Sequence, residues 1–296
     1  MKKIPEGWEV VRLGEVVDLL RNGLVVKQSK EKGEFPITRI ETISNEKIDT
    51  TKLGYVTNLD EKLLNAYRMI KGDVLFSHIN SLPHIGKTGI YEGYPQLLMH
   101  GMNLLLLRAN YSKLNSKFLL YLFRLYRNRG IFKSMAKTAV NQASINQTEL
   151  ANLKIPLPPL PEQERIAEIL STVDEAIEKV GQKIEKTEGL KKGLMQKLLT
   201  EGIGHKEFKD TEIGKIPKEW KLVRLGETIG YVKGKKPYIL SEEYKEGYFP
   251  YLSTEYLRNN GKPKFAVPND NVVLVEDADL ILLWDGSNAG EFFMGK

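Results

Sequence analysis

Residues 155 to 184 read IPLPPLPEQERIAEILSTVDEAIEKVGQKI and join two different kinds of structure. Four prolines within its first seven residues supply no backbone donors, so they favour an extended connection over a helix or a central strand. Apolar residues then recur at spacings of four and three, as in the seam of a coiled coil. This order predicts that one lobe ends near residue 160 and that a long helix follows it.

The predicted helix covers residues 161 to 202. Its apolar seam, which we expect to bind a partner helix or subunit, consists of Ile166, Leu170, Val173, Ile177, Val180, Ile184, Leu190, Leu194 and Leu198. Acidic residues at 162 and 164 suit the start of a helix, and Gly202 and Gly204 end it. The part of the helix from 162 to 199, about 38 residues at ~1.5 Å each, gives a rod of about 57 Å. A lone helix of this kind is not stable, so packing must hold it.

A repeat flanks this helix. Residues 4 to 15, IPEGWEVVRLGE, recur at residues 216 to 227 as IPKEWKLVRLGE. Trp8 and Trp220 occupy the same repeat position and are expected to be packing anchors. The turn and strand at residues 72 to 77 recur more weakly at residues 278 to 283. Two full copies would need about 424 residues, so we expect this 296-residue chain to hold one copy and part of a second.

The fold class is predicted to be α+β. The first copy mixes strand-like runs at residues 74 to 76 and 103 to 107 with an amphipathic helix around residues 116 to 128. Three parts are therefore expected along the chain. They are a mixed α/β first domain at 1–160, a long coiled-coil-type helix at 161–202, and a linker with an incomplete second domain at 203–296.

Composition narrows the possible partners. Hydrophobic residues make up 41% and charged residues 28% of the chain, and no apolar run approaches the ~20 residues of a membrane span. Without a secretory signal at its start, the chain is expected in the cytoplasm and away from membranes. It has no cysteine, which excludes disulfides and cysteine-ligated zinc modules. A net charge of +6 favours a polyanionic partner such as double-stranded DNA.

Candidate DNA contacts are polar or basic residues of loops beside predicted strands. They are Asn80, Ser81, His84, Lys87, Asn141, Gln142, Asn146, Lys233, Lys235, Lys236, Ser287 and Asn288. Loop side chains of these types can hydrogen-bond bases or phosphates. For the loop at 80–87, an ordinary hairpin loop without a role in DNA binding is an equal alternative. For the three lysines, an equal alternative is that they are solvated surface residues. For the polar stretch at 141–147 turn capping is slightly favoured.

Catalytic motifs are weak or missing. SLPHIGKT, residues 81 to 88, ends like a phosphate-binding loop, but a serine stands where its first glycine belongs. The four histidines show no helical pairing with acidic residues, so no metal site is predicted. The sequence contains no Asn/Asp-Pro-Pro-aromatic motif of a methyltransferase and no carboxylate cluster typical of a nuclease. We therefore predict no catalytic residue and no bound cofactor, and an enzyme is the third-ranked interpretation.

Three strings resemble the specificity subunits of type I restriction-modification enzymes, and they occur in the family's order. They are IPLPPLPEQERIAEIL at 155–170, GLKKGLMQKLLTEGIGHKEFK at 189–209 and TEIGKIPKEWKLVRLGE at 211–227. The resemblance implies that residues 1 to 160 form a target-recognition domain and that a second one begins after the helix. It further implies that each domain reads half of a bipartite DNA site and that the helices dock methyltransferase subunits, which restriction subunits join.

The same resemblance implies that S-adenosylmethionine, ATP and magnesium are held only by partner subunits. A full member has a second long helix that pairs with the first, so this chain is expected to be truncated within its second target-recognition domain. The seam at 162–199 then lacks an intramolecular partner, and self-association through it is a further hypothesis. The alternative function is a coiled-coil interaction protein whose lobes bind DNA nonspecifically. The ratio of specific to nonspecific affinity separates the two.

Overall fold

The computed structural model describes residues 5–44, 47–140, 142–259, 261–269 and 272–295. The chain divides into two compact units, Met1–Leu194 and Met195–Lys296. The predicted α+β class is confirmed, because both units combine short strands with helices.

The first unit holds thirteen strands and five helices within the described residues. The strands are β1 (Glu9–Arg12), β2 (Val17–Asn22), β3 (Phe35–Ile37), β4 (Ile43–Ser44), β5 (Lys47–Ile48), β6 (Gly54–Val56), β7 (Val74–Phe76), β8 (Ile79–Asn80), β9 (Thr88–Ile90), β10 (Leu105–Ala109), β11 (Lys137–Ala139), β12 (Gln142–Ser144) and β13 (Lys154–Leu157). The helices are α1 (Glu61–Tyr67), α2 (Ser116–Asn128), α3 (Ile131–Met135), α4 (Gln147–Ala151) and α5 (Leu160–Glu201), which continues into the second unit.

A six-stranded sheet in the order β2-β10-β7-β9-β5-β4 forms the centre of the first unit. Its pairs are antiparallel except for β5 with β9, which are parallel. A three-stranded sheet, β11-β12-β8, extends from the end of β7, and β1 pairs with β13 and β3 with β6. The six-stranded sheet is therefore the largest sheet of the first unit, and the smaller ladders are separate from it.

The apolar run at 104–107 is buried on both faces of the central sheet. Leu105 and Leu107 face one hydrophobic cluster, and Leu104 and Leu106 face the other. Alternate side chains of a strand point to opposite faces, so a continuous apolar run requires cover on both sides. Helices α2 and α3 supply it on one face, where the rings of Phe76, Phe123 and Phe132 meet edge to face.

The proline-rich connection is only partly an extended strut. Pro156 lies in β13, where it pairs opposite Val10 of β1 in a two-stranded ladder, an edge position that tolerates a residue without an N–H. Pro161 lies in the first turn of α5, where the missing donor costs nothing. The helix therefore begins at Leu160, one residue before the predicted start, and ends at Glu201, one residue before the predicted end.

Helix α5 has 42 residues, about 63 Å at ~1.5 Å per residue. Only its first turns are covered, because Gln163 and Ala167 are its buried residues among those described. Trp8 donates from its indole nitrogen to the Glu162 carboxylate at 3.2 Å. Tyr121 and Arg124 of α2 hold Asp174, with oxygen and nitrogen 3.0 and 2.6 Å from its carboxylate. Beyond Asp174 the rest of α5 within the first unit is exposed.

The second unit is built from short pieces. Its strands are β14 (Phe208–Thr211), β15 (Gly214–Pro217), β16 (Leu240–Ser241), β17 (Phe249–Pro250), β18 (Phe265–Ala266), β19 (Leu280–Leu282) and β20 (Phe292–Met294). Its helices are α6 (Leu225–Thr228) and α7 (Thr254–Asn259). The ladders are β14-β15, β16-β18-β17 and β19-β20. Trp220 packs edge to face on His205, with ring centroids 6.1 Å apart, as expected of a packing anchor.

The weak repeat at residues 72–77 and 278–283 is a recurrence of one turn. Asp73 donates its N–H to the Ile70 carbonyl at 3.0 Å, and its carboxylate accepts from the Ile70 N–H at 2.8 Å. Asp279 and Glu276 form the same pair of hydrogen bonds at 3.0 and 2.9 Å. Each turn leads into an antiparallel hairpin, β7-β9 or β19-β20. Leu280 is 65% exposed, whereas all of β7 is buried, so only the first hairpin is covered by further structure.

The length and hydropathy of the helices can also be compared with those of a membrane span. None of those in the described part of the chain is long and apolar enough to cross a bilayer.

Candidate nucleic-acid interface

The loop between β7 and β9 is shaped by its own polar side chains. The Asn80 amide donates to the Ser77 hydroxyl at 3.0 Å and accepts from the Ser81 N–H at 2.8 Å. Both ends of the Asn80 side chain are therefore engaged within the loop, which favours the structural interpretation of this candidate. His84 is exposed, and its N–H donates to the Ser81 carbonyl at 2.8 Å.

The end of this loop is seated on α3. A Cβ on Gly86 would lie 2.5 Å from the Phe132 ring, so the loop backbone approaches that ring as closely as glycine permits. Lys87 follows at once and is half-buried. Its pKa is lowered, first by burial and then by the positive charges of Arg127 and Lys52. The contact between loop and helix thus brings Lys87 near the C-terminal end of α2.

Positive charge is concentrated in one part of the first unit. The chain has 44 Lys and Arg and 38 Asp and Glu. Residues 77 to 147 contain nine of the basic residues and one of the acidic residues, which gives this range a net charge of +8. The other residues together carry a net charge of −2. Residues 77 to 147, which we call the basic segment, therefore account for the positive charge of the whole chain. This signal was present in the sequence but is not visible in the overall composition.

Several cations of the basic segment lie where α2 meets α3 or on the loop that is seated against α3. We call them the basic corner: Lys87, Arg127, Arg129 and Lys133. Gly130 separates α2 from α3 with a positive φ of 74°, which turns the chain sharply between Arg127 and Lys133. Within the part of the chain that the structure describes, Lys87, Arg129 and Lys133 form no ion pair with a carboxylate. These cations remain available to an anionic ligand.

Close in sequence to the basic corner, β11 (Lys137–Ala139) and β12 (Gln142–Ser144) form a two-stranded ribbon. It is joined to the body of the unit through β8, with Ala143 opposite Asn80. All three residues of β11 and Gln142 are exposed, and Val140 is 93% exposed. Ala143 and Ile145, by contrast, are 1% and 0% exposed, and the Ile145 N–H donates to the His78 carbonyl at 2.9 Å. The ribbon is therefore buried at its base, near Ala143 and Ile145, and exposed at its other end, near Val140.

One of the polar candidates near the ribbon, Asn146, is structural, and another, Asn141, lies outside the described residues. Asn146 caps α4: its side chain accepts from the Glu149 N–H at 2.7 Å, and Glu149 accepts from the Asn146 N–H at 3.1 Å. Lys137 pairs with Glu149 at 2.9 Å and is the first cause of the lowered pKa of that carboxyl. Turn capping is therefore the role of Asn146, and the structure gives no information on Asn141.

In the second unit the candidates gather around the β19-β20 hairpin. The Lys233 ammonium lies 4.9 Å from the centre of the Trp284 ring, a cation–π distance. Ser287 and Asn288 are exposed in the loop that follows Trp284, the counterpart of the β7-β9 loop. Lys235 and Lys236 are exposed two and three residues beyond Lys233. The structure thus joins Lys233 to this hairpin through Trp284.

The two buried histidines are not ligands of this interface. His78 is 6% and His100 is 0% exposed, and burial lowers their pKa values to about 4 and about 3. Both are therefore neutral at physiological pH. Among the described residues no three His, Asp or Glu side chains are grouped so that they could hold a metal ion.

A second surface lies along α5. Ile166 packs half-buried against the core of the first unit, so the exposed apolar stripe starts four residues later. Its members are Leu170, Val173, Ile177, Val180, Ile184, Leu190, Leu194 and Leu198, which are 39% to 65% exposed. Between Thr172 and Val180 the exposed side chains of the stripe form an open apolar patch. An exposed apolar stripe on a helix is typical of a face that binds a partner.

Gln163 has a structural role that was not predicted from the sequence. Its side chain is fully buried at the start of α5, although glutamine is rarely buried. Its amide donates to the carbonyls of Lys113 and Pro158 at 2.9 and 2.8 Å and accepts from the Asn115 N–H at 2.9 Å. Gln163 thereby ties the long helix to the loop before α2. The spacing of apolar residues along the sequence does not predict hydrogen bonds between residues about 50 positions apart.

Comparison with known proteins agrees with this arrangement. The family model for the type I restriction modification DNA specificity domain matches residues 5–188. The MjaX specificity subunit of Methanocaldococcus jannaschii, named for a type I restriction enzyme, is 48% identical over 284 residues, which cover 95% of this chain and 67% of the relative.

Two solved structures are also similar. A chain from a structural study of complex assembly in the type I R-M system is 26% identical, with a TM-score of 0.49, covering 67% of this chain and 46% of that one. The HsdS subunit from Thermoanaerobacter tengcongensis is 23% identical, with a TM-score of 0.45, covering 79% and 58%. The chain thus spans about half the length of these two solved chains.

The resemblance noted in the three strings is confirmed by the match over residues 5–188 and by the 48% identity to a specificity subunit. This chain belongs to the type I restriction-modification DNA specificity family.

Proposed function

We propose that this chain is the DNA-reading subunit of a type I restriction-modification system and that it has no catalytic site of its own. The observation that carries the proposal is the basic segment, which holds a net charge of +8 while the rest of the chain is slightly acidic. Lys and Arg that neutralise phosphates release counterions from the duplex, which supplies binding free energy. A cationic surface of this kind, placed beside an exposed ribbon, suits a duplex better than a small molecule.

The second unit is proposed to read the other half of a bipartite site. It repeats the turn at Asp73 as a turn at Asp279, and it carries exposed lysines and polar loop residues beside the matching hairpin. A protein with two related domains reads two half-sites. This is the function implied by the family for the pair of domains.

The apolar stripe of α5 is proposed to dock the methyltransferase subunit, and restriction subunits join that assembly. The stripe is exposed over most of its length, and leaving eight large apolar side chains in water is costly. Self-association through the same stripe is the competing use. S-adenosylmethionine, ATP and magnesium belong, in this proposal, to the partner subunits, and the assembly works in the cytoplasm.

The experiment is co-expression of the full chain with the methyltransferase subunit of its own system, followed by co-purification and mapping of adenine methylation on plasmid DNA. A stable complex that methylates one defined sequence supports the proposal. A complex that methylates no defined sequence, or no complex at all, contradicts it. Dimers of the chain alone would favour the interpretation as a coiled-coil protein with nonspecific DNA binding.

A matched pair of variants tests the docking face. Val173→Glu combined with Ile177→Glu places two charges in the apolar patch, so we expect co-purification to be lost while DNA binding by the chain persists. Glu175→Ala, an exposed change about 200° around the helix from both positions, should leave the complex intact. Equal retention of the partner by both variants would exclude this face from docking.

A further inference from the structure

We infer that the β11-β12 ribbon enters the major groove of the target and that Gln142 is a specificity-determining side chain which reads an adenine. The inference rests on the proposed function and adds to it the element and the residue that read one base. It follows from the exposure of the ribbon, from its anchoring, and from the hydrogen bonds made by the polar side chains around it.

The ribbon has the shape that the groove admits. The major groove is about 12 Å wide and takes either a helix or a two-stranded β-ribbon. Here the ribbon is paired on one side only, since β12 contacts β8 and β11 is the outer strand. Every residue of β11 is exposed, as is Val140 at the end of the ribbon at 93%. An apolar side chain so exposed has no packing role in the isolated chain, whereas it can contact a thymine methyl group in a groove.

Its base is rigid. Ala143 and Ile145 belong to the same buried cluster as Phe132 of α3, which also supports the loop that carries Lys87. The ribbon therefore holds a defined position next to the basic corner, because both are built on one core. A reader needs such support, since side chains must reach base edges within a few tenths of an ångström.

Gln142 differs from the other primary amides nearby. The side chains of Asn80 and Asn146 are occupied by the loop and by the α4 cap. Gln147 donates from its amide to the Leu20 carbonyl at 2.7 Å. Over the described residues Gln142 makes no side-chain hydrogen bond and is exposed. A glutamine amide with both ends available pairs with the N6 and N7 atoms of adenine.

The distribution of charge assigns different contacts to the ribbon and to the basic corner. Lys137, at the base of the ribbon, is held by Glu149, so the ribbon itself adds little net charge. Arg129 and Lys133 precede it directly and are not paired with carboxylates within the described part of the chain. We assign them to phosphates that flank the base read by Gln142. Phosphate contacts fix register, and the base contact supplies specificity.

The test is in vitro selection from a duplex library with 20 random base pairs, using the full chain in complex with its methyltransferase subunit. Wild type, Gln142→Ala and the exposed control Gln182→Ala on α5 are compared. We expect wild type and Gln182→Ala to enrich the same motif. Gln142→Ala should lose preference at one adenine position of one half-site, with discrimination there falling about 5- to 150-fold. An unchanged motif and unchanged discrimination for Gln142→Ala would overturn the inference while leaving the proposed function intact.

A second variant separates the base reader from the phosphate contacts. Arg129→Ala with Lys133→Ala should weaken binding to the selected motif and to unrelated duplex by the same factor. The slope of log K against log salt should become shallower by about 2. A change of preferred bases in this variant would contradict the assignment to phosphates. If wild type enriches no motif at all, the proposed function itself fails. Unfolding curves should be unchanged for Gln142→Ala, because its side chain is exposed.

Discussion

The side-chain oxygen of Gln163 accepts a hydrogen bond from the backbone N–H of Asn115 at 2.9 Å. Asn115 in turn caps α2, since its side chain accepts from the N–H groups of Lys117 and Phe118. The start of the long helix and the start of α2 are thereby coupled through one buried amide.

Replacing the buried amide should destabilise the first unit. Gln163→Ala leaves the Asn115 N–H and the carbonyls of Lys113 and Pro158 without their partner, so we expect unfolding to become easier by about 2–4 kcal/mol. Chemical denaturation followed by fluorescence measures the change. The exposed Gln182→Ala on the same helix should change stability by less than about 0.5 kcal/mol. Equal effects from both would show that the buried amide contributes nothing to stability.

The recurring turn gives a second matched pair. Asp73 is buried and binds Arg108 through two bonds of 2.8 Å, which also raise the pKa of Arg108. Asp73→Asn breaks this pair, at a cost of about 2–3 kcal/mol because Arg108 keeps some access to water. Asp279→Asn alters the same turn at an exposed position and should cost under about 1 kcal/mol. A larger loss at Asp279 than at Asp73 would contradict this explanation.

Gly86 and Gly130 have the same φ, so substitutions at the two positions distinguish the cost of backbone strain from the cost of a steric clash. Gly86 and Gly130 both have a φ of +74°, so alanine at either position should cost about 1 kcal/mol for the left-handed conformation. Only at Gly86 would the new Cβ meet Phe132, at 2.5 Å, whereas at Gly130 it meets nothing. Gly86→Ala should therefore lose a further ~1–3 kcal/mol. Thermal unfolding of both variants measures the difference, and similar midpoints would mean that the Phe132 contact relaxes freely.

The buried histidines should make stability depend on pH. Their pKa values of about 4 and about 3 in the folded chain lie below the ordinary 6.5, so only the unfolded chain takes up these protons as the pH falls below 6.5. Stability is therefore fully present above pH 6.5 and declines from there towards pH 4, by up to about 1.4 kcal/mol per pH unit for each histidine.

Variants isolate this contribution from that of the carboxylates. His78→Gln with His100→Gln should flatten the dependence between pH 6.5 and 4, even though the double variant is less stable at pH 7. The exposed His84→Gln should keep the slope of the wild type. Urea denaturation at a series of pH values supplies the slopes, and identical slopes for all three proteins would refute the role of the buried pair.

Much of the architecture followed from local patterns. The heptad spacing predicted the long helix, and the prolines, acidic residues and glycines around it predicted its ends to within one residue. The apolar stripe predicted α2 at residues 116 to 128. The repeated turn at 72–77 and 278–283 was visible as similarity alone. Short strands such as β4 and β5 were not predicted, since two residues carry no periodic signal.

The candidate site was predicted less completely. The loop at 80–87 was located, but whether Asn80 faces DNA or its own loop depends on where Ser77 and the Ser81 N–H lie. Gln142 and Asn146 were equivalent polar residues in the sequence, and only the start of α4 at Gln147 makes one of them a cap. The basic segment could have been found by counting charges in windows.

By itself the sequence determined the family, the long helix, the repeat and the class of partner, because these depend on spacing, composition and order along the chain. Only tertiary packing shows that Gln163 couples two helices and that Gly86 brings Lys87 beside Arg127. It also shows that the Gln142 side chain forms no hydrogen bond within the described residues, whereas Asn146 and Gln147 are engaged. Such contacts join residues dozens of positions apart. Their geometry is set by how elements pack, which no local pattern encodes.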